Sequence, residues 1–141
     1  AVLRLAEMGV PRYLIASSLR LVIAQRLVRR PCPRCAVLQV PDEQTRQRLG
    51  LTSAQAQAMV VGPGCDSCEG LGLRGRTGIF EVLSVTRPVR AALLAGGDEM
   101  AVAAAARSAG WQPLQEAAID AAAHRRTTIA EVLQVVASAA D

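Results

Sequence analysis

Two cysteine pairs constrain most strongly what this chain of 141 residues can fold into. Cys32 pairs with Cys35 and Cys65 with Cys68, two residues separate the members of each pair, and 29 residues lie between the pairs. Two intervening residues allow one tight turn to direct both sulfurs at a metal ion, and two such turns complete a tetrahedral shell. The spacing therefore predicts a structural Zn(II) site, because four thiolates leave no coordination position open for water.

Two other interpretations of the cysteines remain. Thiol oxidoreductases also carry Cys-x-x-Cys, but they use one reactive pair at the start of a helix, whereas this chain has two pairs flanked by turn residues. Four unrelated reduced thiols are the second alternative. The sequence has no recognisable export signal and no apolar run of about 18 residues, so we expect a cytoplasmic protein, where paired cysteines more often bind metal than form disulfides.

The composition excludes some functions for this chain alone. All 16 basic residues are arginine, and without lysine there is no Gly-Lys-Ser/Thr phosphate-binding loop. We therefore expect no catalytic residues and no nucleotide-binding residues in this chain. Aromatic residues make up only 2% of it, which argues against a module that stacks nucleic-acid bases on exposed rings.

The chain divides into three predicted segments, 1–30, 31–78 and 79–141, and its predicted fold class is α+β, mostly α-helical. In the first segment a helix ends at Gly9, and a second helix is predicted from Pro11 to Arg29 or Arg30. This second helix is apolar nearly all round and therefore needs burial on most faces. Because the chain also begins inside a predicted helix, we expect it to be part of a larger protein.

The middle segment holds the four cysteines and a polar helical insert. Asp42 is predicted to cap a helix through Leu49 that Gly50 stops, and Thr52 or Ser53 begins another through Met59.

The third segment begins with a predicted strand over residues 77–85, followed by short alanine-rich helices. The residues at 86–88 open one helix, Asp98 caps the next and Gly110 ends it. Thr128 and Glu131 form a predicted capping box for the last helix.

Several other residues have predicted roles. His124 favours the end of a helix, where a cation interacts well with the dipole, and Trp111 is predicted to pack between the small helices. The arginines near the cysteines are candidates to offset the thiolate charge: Arg34, Arg74 and Arg76. Arg26, Arg29 and Arg30 are predicted either to form a solvated or salt-bridged helix face or to bind phosphate, a carboxylate or a neighbouring subunit. Arg125 and Arg126 are predicted to be solvated or to make a minor contact with a partner. The glycines between Gly70 and Gly78 favour a turn that closes the zinc loop over a phosphate-binding loop.

Five strings in order resemble one known family. They are residues 9–29, the Cys-Pro-x-Cys of residues 32–35, residues 64–68 (Gly-Cys-Asp-Ser-Cys), residues 72–81 (Gly-Leu-Arg-Gly-Arg-Thr-Gly-Ile-Phe-Glu) and residues 127–133 (Thr-Thr-Ile-Ala-Glu-Val-Leu). Together they resemble the C-terminal part of the ATPases that drive type II secretion and type IV pilus assembly. The resemblance spans nearly the whole chain.

The resemblance implies a cytoplasmic ATPase, hexameric when assembled and docked on inner-membrane platform proteins. It implies that residues 1–30 end a RecA-like ATPase core, that Cys32, Cys35, Cys65 and Cys68 form a tetracysteine zinc loop, and that residues 79–141 form a strand and a small helical domain. ATP and Mg would bind only upstream in the parent protein. The expected partners are the upstream core and neighbouring subunits, with no nucleic acid.

The sequence departs from the family pattern at a few positions. Leu73 replaces a usual aromatic residue, Arg125 replaces a usual glycine before Thr-Thr, and Ala117-Ala118 replaces a more polar step. None of these is a predicted metal ligand. The alternative function is a stand-alone zinc-ribbon protein that binds nucleic acid, which a net charge of +4 allows but the scattered arginines do not favour.

Overall fold

The computed structural model describes residues 2–138, so residues 139–141 of the predicted third segment lie outside the described residues. Helices predominate over strands in this part of the chain, in agreement with a mixed fold that is mostly helical. The helices are α1 (Val2–Glu7), α2 (Arg12–Ser18), α3 (Glu43–Leu49), α4 (Ser53–Ala58), α5 (Arg87–Leu94), α6 (Glu99–Arg107), α7 (Leu114–Ala123) and α8 (Ile129–Ala137). The strands are β1 (Leu21–Pro31), β2 (Val37–Leu38), β3 (Val60–Val61) and β4 (Leu73–Ser84).

The chain forms two compact units, each with its own core. The first unit takes Ala1–Ala24 and Glu81–Pro113 and packs α1, α2, α5 and α6 together. Arg90 joins α2 to α5, because its Nε donates to the carbonyl oxygen of Ala16 at 2.7 Å. The buried residues of this core are mostly aliphatic: Val2, Ile15, Val85, Val89, Leu93, Val102 and Ala106.

The second unit takes Gln25–Phe80 and Leu114–Asp141 and contains all four cysteines. Helix α7 packs against α4 and α8, and β2 pairs antiparallel with β3, with Val37 opposite Val61. Its core includes four residues with no more than 1% exposure on α7 and α8: Ala118, Ala121, Ala122 and Val132. Small side chains on α7 allow α8 to approach closely. No helix of the described residues is both long and apolar enough to cross a membrane.

The predicted helix from Pro11 to Arg29 or Arg30 is wrong beyond Ser18. Helix α2 ends there, and residues Leu21–Pro31 form β1, which pairs with β4. Backbone bonds of 2.9 Å at the two ends, from Val85 N to Arg20 O and from Cys32 N to Gly72 O, give the strands opposite directions. An apolar pattern without a polar face fits a strand as well as a buried helix, and only the distant partner decides between them.

Most of the predicted helix boundaries are confirmed. Asp42 accepts a hydrogen bond from the backbone N–H of Thr45 at 2.8 Å, and Gly50 ends α3 with a φ of 62°. Thr52 and Gln55 form a capping box for α4, and Asp98 caps α6. These signals are local, so the sequence predicts them without knowledge of tertiary contacts.

The predicted capping box of Thr128 and Glu131 is wrong. The side chain of Thr128 makes no capping hydrogen bond, and the carboxylate of Glu131 is turned toward Arg29. It accepts the backbone N–H of Arg29 at 2.8 Å and two guanidinium nitrogens at 2.9 Å each. Thr127 completes the contact, because its Oγ1 donates to the carbonyl oxygen of Arg29 at 2.8 Å. The start of α8 is thereby fixed to β1 within the second unit.

Replacing Glu131 with Ala is therefore expected to destabilise the chain. The substitution leaves the backbone N–H of Arg29 without its charged acceptor, and hydrogen bonds to charged groups each contribute about 2 kcal/mol. We expect the free energy of unfolding in urea to fall by about that amount.

Glu43→Ala is the matched control, because Glu43 pairs with Arg46 and Gln47 on an exposed helix face. Exposed pairs of this kind contribute about 0.5 kcal/mol. Equal losses for the two variants would contradict the role given to Glu131.

Candidate metal centre

The first cysteine pair lies in the turn that follows β1. The carbonyl oxygen of Cys32 accepts the backbone N–H of Cys35 at 3.3 Å and that of Ala36 at 2.9 Å. Pro31 ends the strand directly before this turn. The side chain of Cys32 is completely buried and that of Cys35 is partly buried. Both sulfurs are thus held on one side of a tight turn.

The second pair brackets a short 3₁₀ helix, Asp66–Cys68, with Cys65 directly before its first residue and Cys68 as its last. The carbonyl oxygen of Cys65 accepts the backbone N–H of Cys68 at 3.1 Å and that of Gly70 at 3.0 Å. Two backbone N–H groups donate to the sulfur of Cys68, from Cys65 at 3.3 Å and from Gly72 at 3.1 Å. Such bonds favour the ionised thiolate, the form that binds metal.

Glycines bring the segments around the two turns together. Gly72 has a φ of 70°, and a Cβ on it would overlap the carbonyl oxygen of Gly62, just as a Cβ on Gly62 would overlap that of Gly72. The carbonyl oxygen of Gly72 in turn accepts the backbone N–H of Cys32 at 2.9 Å. Sequence analysis missed Gly62, because a close approach between two backbones leaves no local signal.

All four predicted ligand residues come together. Their sulfur atoms lie within 4.8 Å of one another. Cys32 lies 3.9 Å from Cys65, Cys35 lies 3.9 Å from Cys68, and Cys65 lies 3.7 Å from Cys68, all measured between sulfur atoms. A regular tetrahedron with a metal–sulfur distance of about 2.3 Å has sulfur–sulfur edges of about 3.8 Å. The four cysteines are therefore placed to hold one metal ion.

Two of the thiols differ strongly in acidity. Burial raises the pKa of Cys35 to about 12, and the neighbouring thiols add to this rise, while a hydrogen bond from the backbone of Gly64 opposes it. Burial also acts to raise the pKa of Cys68, but the hydrogen bonds to its sulfur outweigh it and lower the pKa to about 7. Crowded thiols hold protons because like charges at this separation repel. A divalent cation would relieve that repulsion.

Of the three arginines predicted to lie near the cysteines, Arg74 contacts a cysteine turn. Its Nη1 donates to Ser67 Oγ at 2.9 Å, so it contacts the turn between Cys65 and Cys68 through a hydroxyl group. Arg34 and Arg76 are exposed. Gly70 and Gly72 lie in the turn after Cys68, as predicted. The predicted turn at Gly75 and Gly78 is wrong, because β4 already begins at Leu73 and both glycines lie within it.

The remaining candidate residues lie elsewhere. His124 follows the end of α7, where its Nδ1 lies 2.9 Å from the carbonyl oxygen of Asp120 and 3.3 Å from the Asp120 carboxylate. Trp111 packs against the core of the first unit, with the guanidinium carbon of Arg107 5.5 Å from its ring centroid. The surroundings of His124 therefore fit its predicted place at a helix end, and those of Trp111 fit its predicted role in packing. Of the two arginines after His124, Arg126 pairs with Asp120 at 3.9 Å.

Replacing Gly72 with Ala is expected to weaken metal binding. The new Cβ would collide with the backbone of Gly62 and would also occupy a left-handed conformation that favours glycine. We expect the zinc affinity of the chain, measured by competition with a chelator, to fall by more than about tenfold, which corresponds to about 1.4 kcal/mol.

Gly50→Ala is the control for backbone strain. Gly50 has a similar φ of 62°, but a Cβ there would meet no other atom within 4 Å. Its substitution should cost about 1 kcal/mol of stability and leave zinc affinity unchanged. An equal loss of zinc affinity in both variants would show that strain alone, and not the contact with Gly62, controls the centre.

Comparisons with known proteins place the chain in one family. The family described as type II/IV secretion system protein matches residues 1–134. The type IV pilus assembly ATPase PilB of Thermus thermophilus is 41% identical over 135 residues, covering 94% of this chain and 15% of that protein. The type II secretion system protein E of Aeromonas hydrophila is 36% identical over 135 residues, covering 96% of this chain and 27% of that protein.

A third relative, named protein transport protein HofB homolog, from Escherichia coli, is 38% identical over 138 residues. That match covers 94% of this chain and 28% of the relative, so the chain spans less than a third of the length of these curated relatives. The family match extends over nearly the whole chain and includes both cysteine pairs and the segment of 29 residues between them. The chain belongs to the type II/IV secretion system protein family.

Proposed function

We propose that this chain is the zinc-bearing C-terminal segment of a cytoplasmic ATPase that powers type II protein secretion or type IV pilus assembly. Family membership and the names of its relatives support the parent activity. The observation that carries the zinc assignment is the convergence of four cysteine sulfurs within 4.8 Å, with three separations close to the edge of a zinc–thiolate tetrahedron.

Zinc in this centre would be structural. Cys32, Cys35, Cys65 and Cys68 would hold it, and a complete thiolate shell supplies charge neutralisation and cross-linking without a position for a reacting water. The chain's own backbone prepares the centre, because the N–H groups of Cys65 and Gly72 stabilise charge on the Cys68 sulfur. The binding free energy of the ion would become folding free energy for the turns.

Nucleotide chemistry is assigned to the upstream part of the parent protein. This chain contains no lysine and therefore no Gly-Lys-Ser/Thr loop. We propose that residues 1–30 end a RecA-like core, that residues 31–78 form the zinc-binding subdomain and that residues 79–141 form the C-terminal strand and helical domain. The proposed partners are the upstream core, neighbouring subunits of a hexamer and inner-membrane platform proteins.

The proposed role of the segment is mechanical coupling. Glu131 and Thr127 bind Arg29, and Cys32, three residues further along the chain, begins the first turn of the metal centre. Within the second unit, the end of β1, the start of α8 and the first cysteine turn are therefore close along one stretch of backbone, and polar contacts join β1 to α8. A metal ion would add a cross-link between turns separated by 29 residues. Such a stiff body is suited to transmit motion from nucleotide hydrolysis.

Removing the centre from the parent protein tests this role. We expect the double variant Cys35→Ser and Cys68→Ser to lose its single zinc ion, measured by elemental analysis of reduced protein. ATP hydrolysis should stay within about twofold, while secretion or piliation falls at least about tenfold, because the turns no longer transmit movement.

Ser67→Ala is the control, since Ser67 lies between Cys65 and Cys68 but offers no sulfur, and its substitution removes only the hydrogen bond from Arg74. Unchanged secretion in the zinc-free variant would contradict the coupling role. Wild-type protein without stoichiometric zinc, but with a reversible intramolecular disulfide, would favour the redox interpretation. DNA binding that weakens steeply with salt would favour the nucleic-acid interpretation.

The acidities of the thiols predict how zinc binding depends on pH. Binding requires four thiolates, so the proton on Cys35, with its pKa of about 12, must be released at neutral pH. Cys68, with its pKa of about 7, carries a proton below pH 7 and loses it above that pH. Zinc affinity should therefore rise with pH, and the slope of its logarithm should fall by about one proton as the pH passes 7.

Chelator competition across pH 5.5 to 8.5, roughly spanning this pKa, measures that slope. Calorimetry in buffers of different ionisation enthalpy counts the released protons independently. A slope that stays constant through pH 7 would contradict the acidity assigned to Cys68.

A further inference from the structure

A small cleft in the second unit lies beside the first cysteine turn and apart from the sulfurs. Its volume is about 280 Å³, and its apolar wall includes Pro31, Pro33, Leu38 and Val60. Leu38 is 59% exposed, so this wall offers aliphatic surface that the chain itself does not cover. Arg30 and Arg125 line the same cleft.

The two arginines carry charge that their surroundings do not neutralise. In the described part of the chain neither guanidinium makes a hydrogen bond or an ion pair, although the neighbouring residues Arg29 and Arg126 each bind a carboxylate. The cleft therefore combines two available guanidinium groups with an aliphatic wall. Guanidinium groups recognise oxyanions, most strongly through paired N–H donors.

The backbone conformation of Arg125 is a second, independent observation. Its φ of 58° lies in the left-handed region, which non-glycine residues adopt rarely. Arg125 lies two residues after the end of α7, where its N–H donates to the carbonyl oxygen of Ala122 at 2.9 Å. Glycine would satisfy the same backbone geometry without strain. Strained residues occur preferentially at functional sites, which directs attention to the arginine side chain.

We propose that this cleft binds an acidic peptide segment of a partner protein, in which a carboxylate engages Arg30 and Arg125 and an adjacent aliphatic side chain packs on Leu38. The concave shape favours an inserted side chain over a flat membrane surface. Apolar walls without an aromatic ring among the lining residues do not favour nucleic acid. The proposal goes beyond the secretion role and does not depend on which metal the cysteines hold.

Fluorescence polarisation with the full 141-residue chain tests the proposal. The probe is a labelled, end-blocked hexapeptide of alternating glutamate and leucine, and the matched probe has glutamine in place of glutamate. We expect saturable binding of the glutamate peptide only. Arg30→Ala and Arg125→Gly should each weaken it by about tenfold, the loss expected for a charged hydrogen-bonding partner.

Arg125→Gly separates binding from folding, because it removes the guanidinium and also relieves the backbone strain. Its thermal midpoint should therefore equal or exceed that of the wild type while binding falls. Arg48→Ala is the charge-matched control on exposed surface outside the cleft, and it should bind as the wild type does. Zinc content is measured in every variant, and Arg30→Ala should keep it.

Three results would overturn the proposal. The first is no saturable binding of the glutamate peptide. The second is that the chain binds the glutamine peptide as tightly as the glutamate peptide, or that Arg125→Gly binds the glutamate peptide as tightly as the wild type does. The third is binding to vesicles of anionic phospholipid that depends on Arg30 and Arg125 while the peptide fails to compete, which would assign the cleft to a membrane surface.

Discussion

The crowding of four sulfur atoms within 4.8 Å is the constraint on which the second unit depends. Thiols this close cannot all ionise without a cation. Burial, to which the neighbouring thiols add, raises the pKa of Cys35 to about 12. Two tight turns and a contact between Gly62 and Gly72 hold the four sulfurs close together despite the repulsion between thiolates. Backbone N–H groups then stabilise charge on Cys68. A tetrahedral metal ion would remove the repulsion between the thiolates that the turns hold close together.

Strand β1 links this centre to the rest of its unit. Arg29 near its end is bound by Glu131 and Thr127 from the beginning of α8, and Cys32 follows directly after the strand. The polar contacts of Arg29 and the first cysteine turn therefore lie within a few residues of each other along the backbone. This arrangement gives the proposed coupling role a physical basis, because displacement of β1 would move the cysteine turns and α8 together.

The pairing of the cysteines could be predicted from the sequence, but the strand that leads to the first pair could not. Spacing alone predicted the two cysteine turns, because a Cys-x-x-Cys turn is a local structure that needs no distant partner. Caps at Asp42 and Asp98 were predictable for the same reason. The helix predicted through Arg30 failed because strand pairing with β4 satisfies the backbone of these residues. Residue spacing contains no information about a partner more than forty positions away.

The sequence by itself determined the family, through the order of its motifs, and also the two Cys-x-x-Cys turns and the short-range helix signals. The turns and helix signals were readable because each depends on residues close together in the chain. Only the tertiary structure decided that residues 21–31 form a strand, that Glu131 binds Arg29 and that Gly62 must be small. These features arise where segments far apart in sequence meet. Their free energy depends on backbone pairing and exclusion of volume, which a one-dimensional pattern does not specify.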